Sequence, residues 1–465
     1  MAPSPSNENE NDDETQTKIK DLRDFLVEKP QNAKMTSQLA ILLAQQAKLK
    51  GEDDKKTEAL TLAQSATDLA PTKPFGYAAF SVVYGFSDYE QRLNYLQQAI
   101  AKCQDERKYR FTKSGLLVRL LVEPRDHEAK VLREVPFESP DKIGSSSLKH
   151  PSRRDLSGPE ETLYQTACQT LEKAYEENQN DNVNVATLAQ YQHRLGMLFR
   201  KLHPQEKHRP RSIHHLTRVC QMLPNPHPLQ EMAQFWLATL NGNSNITATK
   251  CPQDYIVGLY STFAARFDTL LVESLQYQTP TELRKLVDSV LQQQSTCSIQ
   301  RCIDLGCGTG LSGEAFRGLI RGHLLGVDLS PEMIAQAKMR QCYQELVIGD
   351  CLSVLKGQGD DVDLIIACDV FVYLGDLEPV FHKAQTSLSE EGIFAFSTEL
   401  LTTSATNSKE EYILQACARF AHSKAYIERL AMQFNFRMVG YKASTIRKTQ
   451  GKNVQGQLVA LRRKI

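Results

Sequence analysis

The sequence predicts an all-α region followed by an α/β domain with a mostly parallel sheet, on two observations. From about residue 251 onward, apolar strand-like runs alternate with helical patterns, which is typical of parallel strands covered by helices on both faces. Before that point, apolar residues recur with helical spacing and prolines are few. The length of 465 residues favours two or three domains.

The chain begins with a polar, acidic segment over 1–17 that we expect to be disordered, and a first helical region follows over 18–121. Four residues of this region fall on one helical face: Ala59, Ala63, Ala66 and Leu69. Small residues let two helices approach closely, and Pro71 ends the first helix. The pattern is similar to a degenerate tetratricopeptide repeat, although a clean ~34-residue period is lacking and an irregular helical bundle explains it equally well.

Residues 122–160 are predicted to form a linker, because Pro, Gly and Ser combine there with scattered charge. A second helical region is predicted over 161–250, with an apolar stripe formed by Leu163, Ala167, Leu171 and Ala174. We interpret its His-rich stretch, "KLHPQEKHRPRSIHHL", as a solvated segment between helices, since the spacing is not that of metal ligands. Trp236 is predicted to pack in a helix that ends at Gly242.

The C-terminal region, 251–465, is predicted to begin with helices over 253–272 and 280–294. Five strands follow, at 301–305, 323–328, 346–349, 362–367 and 393–398. A helix over 411–433 leads into a hairpin at one edge of the sheet, formed by "FNFRMVGYKAS" and "GQLVALR".

Composition limits the possible partners. Lys plus Arg and Asp plus Glu both number 55, so the formal net charge is zero and gives no electrostatic footprint for nucleic acid or an anionic membrane. No apolar run reaches the ~18–20 residues of a membrane span, and the polar start lacks the pattern of a signal peptide, so we expect a cytoplasmic protein. The 11 cysteines form no C-x-x-C pair, which argues against a disulfide framework or a zinc site.

The stretch "CIDLGCGTGLSG", at 302–313, supports two cofactor hypotheses. Gly308, Gly310 and Gly313 fit G-x-G-x-x-G, a dinucleotide-binding pattern. Gly306, Gly308 and Gly310 fit G-x-G-x-G, which together with the preceding acid favours S-adenosylmethionine. Both cofactors need glycine where a strand turns into a helix, so the loop alone does not decide.

Acidic residues at the strand ends favour S-adenosylmethionine. Asp328 can accept from ribose hydroxyls under either hypothesis. Asp304 precedes the turn, where a carboxylate would repel a pyrophosphate but favour a sulfonium and an ammonium. Asp350 ends the third strand, where it can accept from an adenine amino group. Asp369 and Tyr373 follow the fourth strand, at the edge where an open sheet binds its ligands.

Five motifs occur in an order and spacing that resemble the class I S-adenosylmethionine-dependent methyltransferases: "IDLGCGTG", "GVDLSPEM", "GDCLSVL", "LIIACDVFVYL" and "LSEEGIFAFSTE". The resemblance covers about 253–465 and includes small-molecule and carrier-type enzymes. The sequence most resembles predicted methyltransferases with tetratricopeptide repeats ahead of the catalytic domain. The resemblance implies a Rossmann-like, seven-stranded, mostly parallel sheet whose last strand is antiparallel.

The resemblance also implies a donor site formed by Asp304, Gly306, Gly308, Gly310, Asp328, Leu329 and Asp350, and the positions of Cys351 and Asp369 after the third and fourth strands add these two residues to it. The glycines and Asp304 would lie at the methionine part, Asp328 at the ribose, and Leu329 and Asp350 at the adenine. Candidate acceptor residues are Tyr260, Arg266, Tyr373 and His422, where His422 could equally be a packing residue.

These features predict a methyltransferase that uses S-adenosyl-L-methionine, with a small-molecule or carrier-bound acid as acceptor. Methyl transfer needs positioning and a desolvated path, so no catalytic residue and no metal is assigned. Two alternatives give the helical region a protein partner: a protein methyltransferase, or a scaffold that only binds the cofactor. An NAD(P)-dependent oxidoreductase is a third.

Overall fold

The chain folds into two compact units, Met1–Asn225 (unit 1) and Pro226–Ile465 (unit 2). The computed structural model describes residues 7–464 except 51–52, 85–87, 104–108, 110–111, 123–154, 203–204, 242–247, 262–266, 269–276, 293–297, 356–361, 402–409 and 450–451. The boundary that we predicted between 250 and 251 therefore falls inside unit 2. Gly242 and most of the predicted linker lie outside the described residues.

The described residues of unit 1 form helices and the short connections between them. Its helices are α1 (Asn7–Glu28), α2 (Ala33–Lys50), α3 (Asp53–Leu69), α4 (Phe75–Val83), α5 (Tyr89–Ala101), α6 (112–122), α7 (Gly158–Asn178), α8 (Asn182–Lys201) and α9 (Gln205–Met222). The prediction of a disordered tail over 1–17 is wrong from Asn7 onward. Neither proline nor glycine, the residues that most often interrupt a helix, occurs within α1.

A close contact between α3 and α4 depends on small residues, as the sequence suggested. Ala59, Ala63 and Ala66 are fully buried, whereas Leu69 is 40% exposed and does not share their buried face. A Cβ atom at Gly76 of α4 would lie 2.0 Å from the Thr67 hydroxyl oxygen of α3, so only glycine fits there. The tetratricopeptide resemblance itself stays a prediction.

The His-rich stretch is part of a packed helix, so our interpretation of it as a solvated segment was wrong. His208 and His215 of α9 are buried, and both rings stack on Phe199. His215 Nδ1 lies 2.7 Å from Gln192 Oε1, and its Nε2 lies 3.0 Å from the Tyr164 hydroxyl. Polar partners on neighbouring helices satisfy this ring, which is why it can be buried.

Unit 2 contains helices on both faces of a sheet. Its helices are α10 (Pro228–Asn241), α11 (Gln253–Ser261), α12 (Thr279–Gln292), α13 (Leu311–Phe316), α14 (Pro331–Met339), α15 (Cys351–Val354), α16 (Glu378–Ser387) and α17 (Lys424–Gln433). Its strands are β1 (Ile299–Leu305), β2 (Ile320–Asp328), β3 (Glu345–Ile348), β4 (Val362–Ala367), β5 (Leu388–Leu400), β6 (Tyr412–Leu414), β7 (Phe420–His422), β8 (Phe436–Thr449) and β9 (Lys452–Arg463).

The main sheet has the seven strands and the antiparallel last strand that the resemblance implied. Its parallel strands lie side by side in the order β3, β2, β1, β4 and β5. The last strand, β9, pairs antiparallel with both β5 and β8. These seven strands form a Rossmann-like sheet, and the short strands β6 and β7 extend it beyond the end of β5.

The predicted helix over 411–433 is wrong in its first half. Residues 412–422 form the β6–β7 hairpin, and the turn between these strands places Ala418 at φ 64°. Strand β7 pairs with the end of β5, so tertiary pairing determines its conformation. The helix begins only at Lys424, after Ser423, whose hydroxyl accepts from the Tyr426 N–H.

Apolar clusters cover both faces of the sheet. One includes Leu305 of β1 with Phe381 and Tyr426 of α16 and α17, and the other includes Cys302 of β1 with Val287 of α12. Trp236 of α10 is buried with its ring centroid 4.9 Å from that of Tyr255, which confirms its packing role. In the described part of the chain, no helix combines the length and apolar character needed to cross a membrane.

Candidate active site

A cavity of about 370 Å³ lies at the carboxyl ends of the parallel strands. Its wall includes residues that follow β1, β2, β3 and β4, together with Tyr260 of α11. The carboxyl ends of parallel strands meet at one edge of a sheet, which is where open α/β sheets bind ligands. The volume is within the range of ~300–1,000 Å³ that is typical of small-molecule sites.

The glycine loop turns β1 into α13. Gly306, Gly308 and Gly310 have φ values of 63°, 53° and 91°, which L side chains rarely adopt. A Cβ atom at Gly306 would lie 2.4 Å from a methyl carbon of Val370, so this glycine is needed for packing. A Cβ atom at Gly308 would meet nothing within 4 Å. Gly308 is on the cavity wall, so its backbone is open to a ligand.

Asp328, at the end of β2, is fixed by backbone donors on the cavity wall. The Gly308 N–H donates to its Oδ2 at 3.0 Å, and the Ser330 N–H donates to its Oδ1 at 2.9 Å. Burial raises the pKa of this carboxyl, and the backbone hydrogen bonds act in the opposite direction. Each carboxylate oxygen has further lone pairs, so Asp328 can also accept from a ligand hydroxyl.

Asp304 lies beneath the glycine loop and is not on the cavity wall. Its Oδ2 accepts from the Ser312 hydroxyl at 2.5 Å and the Tyr343 hydroxyl at 2.6 Å, and the side chain is fully buried. Burial raises its pKa to about 7, while the two hydroxyl donors lower it. The geometry gives Asp304 a role in positioning the loop, instead of the direct contact with the donor that we expected.

Tyr343 explains the third glycine of the dinucleotide-like pattern. A Cβ atom at Gly313 would lie 2.3 Å from Cζ of the Tyr343 ring, and the Gly313 N–H donates to the Tyr343 hydroxyl at 3.0 Å. Gly326 of β2 also faces this ring, because its Cβ atom would lie 2.8 Å from a ring carbon. The third glycine of the G-x-G-x-x-G spacing, Gly313, thus leaves room for the Tyr343 ring.

Asp350 caps α15 and contacts α11. Its Oδ1 accepts from the Leu352 N–H at 2.7 Å, and its Oδ2 accepts from the Gln253 amide at 2.8 Å. Asp350, Cys351 and Leu329 are on the cavity wall, at the side nearest β2 and β3. Burial raises the pKa of the Cys351 thiol to about 12, so this cysteine is neutral at physiological pH.

Tyrosines and arginines occupy the side of the cavity nearest β4 and β5. The hydroxyl oxygens of Tyr260 and Tyr373 lie 2.5 Å apart. Asp369 has φ 58°, and its Oδ2 accepts from Arg447 of β8 at 3.2 Å. Arg419, from the β6–β7 turn, lies 5.7 Å from the centre of the Tyr373 ring.

Arg419, Arg447 and Tyr277 also line this cavity, although the sequence analysis missed all three. They lie outside the five motifs, and only the hairpin and β8 bring the two arginines to the wall.

Two of the predicted acceptor residues are not on the described cavity wall. His422 is fully buried away from the cavity wall, stacks on Tyr426 and lies 3.1 Å from the Gly375 carbonyl oxygen, so it packs. Arg266 lies outside the described residues.

Comparison with known families supports the assignment of unit 2. Residues 303–394 match the family model described as a methyltransferase domain. Together with the sheet order and the glycine loop, this match supports the resemblance of unit 2 to the class I S-adenosylmethionine-dependent methyltransferases. S-adenosyl-L-methionine is the cofactor of this class.

Relatives with assigned names match the same part of the chain. A malonyl-[acyl-carrier protein] O-methyltransferase from Bacillus anthracis is 31% identical over 160 residues, which cover 32% of this chain and 59% of the relative. Another, from Bacteroides thetaiotaomicron, is 32% identical over 116 residues, which cover 23% of this chain and 42% of the relative. The chain thus spans about half the length of these relatives.

Solved structures show a more distant similarity. The magnesium protoporphyrin IX methyltransferase of Synechocystis, solved with bound S-adenosylhomocysteine, is 14% identical with a TM-score of 0.34. The match covers 46% of this chain and 99% of that one.

The cavity wall fits S-adenosylmethionine, although one of our reasons for preferring it does not hold. Asp304 lies under the loop with a raised pKa, so it would repel a bound pyrophosphate less than we argued from the sequence. The preference depends instead on the matched family and on Gly313, whose absent side chain is explained by Tyr343. The open backbone at Gly308 and the carboxylate of Asp328 supply the close approach and the hydroxyl acceptor that the donor needs.

Proposed function

We propose that the protein is an S-adenosylmethionine-dependent methyltransferase. The observation that carries this proposal is the match of residues 303–394 to a methyltransferase domain, and an open glycine paired with a strand-end acid supplies its donor site. Gly308 leaves its backbone free toward the cavity and donates its N–H to Asp328. A donor nucleoside could therefore approach the loop backbone while its ribose hydroxyls bind to Asp328.

The other wall residues extend this donor site along the strand order. Leu329, Cys351 and Asp350 would surround the adenine, with Asp350 free to accept a further hydrogen bond beside its contacts to Leu352 and Gln253. When bound, the donor supplies a methyl group activated by a sulfonium, whose leaving group is a neutral thioether. The protein then has only to position the acceptor and exclude water.

We propose a small-molecule or carrier-bound acid as the acceptor. Two relatives are named for methyl transfer to malonyl groups on an acyl-carrier protein, which favours an acidic acceptor. A protein acceptor, or a cofactor-binding scaffold that uses unit 1 to bind a partner, are alternatives that labelled donor can distinguish. Label found in a small molecule supports the first proposal. Label found in protein, or in neither fraction, supports one of the alternatives.

Isothermal titration with S-adenosylhomocysteine and with NADH tests the donor. We expect S-adenosylhomocysteine to bind and NADH not to bind. Asp328→Ala should weaken the binding of S-adenosylhomocysteine by about tenfold to a hundredfold, because a hydrogen bond to a charged group contributes ~1.5–3 kcal/mol. The control is Asp254→Asn, at an exposed position of α11. NADH binding without S-adenosylhomocysteine binding would reject the proposal.

A further inference from the structure

Arg419 has an incompletely compensated charge on the acceptor side of the cavity. Among the described residues it has one ion pair, to Glu399 Oε1 at 3.9 Å, which is too long for a direct hydrogen bond. The guanidinium side chain is 27% exposed and faces the ring of Tyr373. A guanidinium carries five N–H donors arranged to bind a carboxylate with two parallel hydrogen bonds.

The nearby carboxylates are already engaged by the second arginine. Arg447 donates to both Glu399 and Asp369, and its side chain is 5% exposed. Glu399 also accepts from the Gln415 amide at 2.6 Å. Arg447 therefore satisfies the two acids, whereas Arg419 keeps donors for a ligand.

The strand order separates Arg419 from the groups proposed to hold the donor. Those groups follow β1, β2 and β3, whereas Arg419 lies in the turn after β6 and contacts Glu399 at the end of β5. Tyr373, which follows β4, lies between these two sides. An anion bound at Arg419 would thus belong to the acceptor.

Among the residues that the structure describes, the wall also lacks an available base on this side. The described residues of the wall include no histidine, and the acid of the wall on this side, Asp369, is paired with Arg447. An acceptor that carries a proton at neutral pH would need a base to remove it. A carboxylate is already ionised and needs none.

We infer that Arg419 anchors the carboxylate of the acceptor and that the enzyme methylates a carboxylate oxygen to form a methyl ester. This inference depends on the proposed methyltransferase function. One carboxylate oxygen accepts from Arg419, and a lone pair of the other forms the bond to the methyl carbon. The bond between that carbon and sulfur breaks, its electron pair stays on sulfur, and no proton is released. The neutral ester loses the ion pair with Arg419, which favours its release.

Binding to the complex with S-adenosylhomocysteine tests this inference without knowledge of the natural acceptor. The probes are malonamate, which has one carboxylate, and malonamide, which has none. Titration into the saturated complex should show binding of malonamate and none of malonamide. Arg419→Gln should weaken malonamate binding by about tenfold to a hundredfold and leave S-adenosylhomocysteine binding unchanged. Arg419→Lys should weaken malonamate binding less than Arg419→Gln.

The control is Arg437→Gln on β8, since the Arg437 side chain is 58% exposed. Equal binding of malonamate and malonamide, or no binding of malonamate to the wild-type complex, would overturn the inference. So would unchanged malonamate binding by Arg419→Gln. Loss of S-adenosylhomocysteine binding in Arg419→Gln would assign Arg419 to the donor instead. Failure of the wild type to bind S-adenosylhomocysteine would reject the proposed function itself, and is therefore a separate outcome.

Discussion

The buried Asp304 should make the stability of unit 2 depend on pH. Its pKa is about 7 in the folded protein against an ordinary value of 3.8, because the carboxyl is fully buried and its Oδ1 has no hydrogen-bond partner within the described part of the chain. The folded state therefore keeps this proton over a pH range in which the unfolded chain loses it. A group of this kind stabilises the fold below pH ~4 and loses that contribution as the pH rises toward ~7.

The size of the effect follows from the two pKa values. They differ by about 3 pH units, and each unit corresponds to about 1.4 kcal/mol. Wild-type unit 2 should thus lose about 4 kcal/mol from this group between pH ~4 and ~7, and nothing further above pH ~8. Asp304→Asn has almost the same shape and no proton to lose, so its stability should lack this term.

Urea unfolding followed by tryptophan fluorescence measures the difference. The chain has one tryptophan, Trp236, which is buried in unit 2, so the signal reports the unfolding of that unit. The free energy of unfolding of Asp304→Asn minus that of the wild type should rise with pH and then level off. Subtraction removes the contributions of other groups, including the buried His422, whose pKa is lowered to about 4 and which acts in the opposite sense.

The control is Asp254→Asn, at an exposed position, whose difference from the wild type should not change with pH. A difference for Asp304→Asn that is equally flat between pH 4 and 8 would refute the reasoning. It would mean that Asp304 titrates near its ordinary value and that its burial does not perturb it.

Four further predictions concern the glycines and the two units. Gly306→Ala should lower the unfolding free energy of unit 2 by several kcal/mol, since its Cβ atom would overlap a side chain. Gly308→Ala should cost only ~1–2 kcal/mol for its positive φ but should weaken S-adenosylhomocysteine binding in calorimetry; normal binding would contradict an open loop. Gly76→Ala should destabilise unit 1 by ~1–3 kcal/mol or more in thermal melts followed by circular dichroism, with Ser65→Ala of α3 as the control. Deletion of residues 1–225 should preserve the Trp236 fluorescence, the binding of S-adenosylhomocysteine and the turnover of a small acceptor. A folded truncated protein without that turnover would favour a role for unit 1 in acceptor recognition.

The sequence predicted those parts of the fold that depend on local pattern. All seven strands of the main sheet were placed from apolar runs, and the acid at 328 from its position after a strand. The hairpin at 412–422 was not, because pairing with β5 overrides the helical pattern of that segment. Residues such as His215 were missed for a related reason, since a buried histidine depends on partners from other helices that no local pattern identifies.

The candidate site divides in the same way. Gly308 and Asp328 belong to two successive sequence motifs and are joined by a hydrogen bond in the cavity wall, so the motifs alone could identify them. Arg419 and Arg447 lie outside the five motifs, and only the folded chain places them on the cavity wall with Tyr373. The donor side could therefore be predicted in advance, whereas on the acceptor side the sequence indicated Tyr260 and Tyr373 but not the two arginines.

The ring of Tyr343 has a consequence for how such sequences should vary. Gly313 and Gly326 both leave room for this ring, and the Gly313 N–H bonds to its hydroxyl. Homologues with a smaller residue at position 343 would be free to carry alanine or serine at 313, so these positions should change together. Where the tyrosine is kept, position 313 should stay glycine and the sequence should still match the dinucleotide-binding pattern G-x-G-x-x-G. A pattern search that ignores position 343 would then assign the wrong cofactor for a reason that concerns only packing.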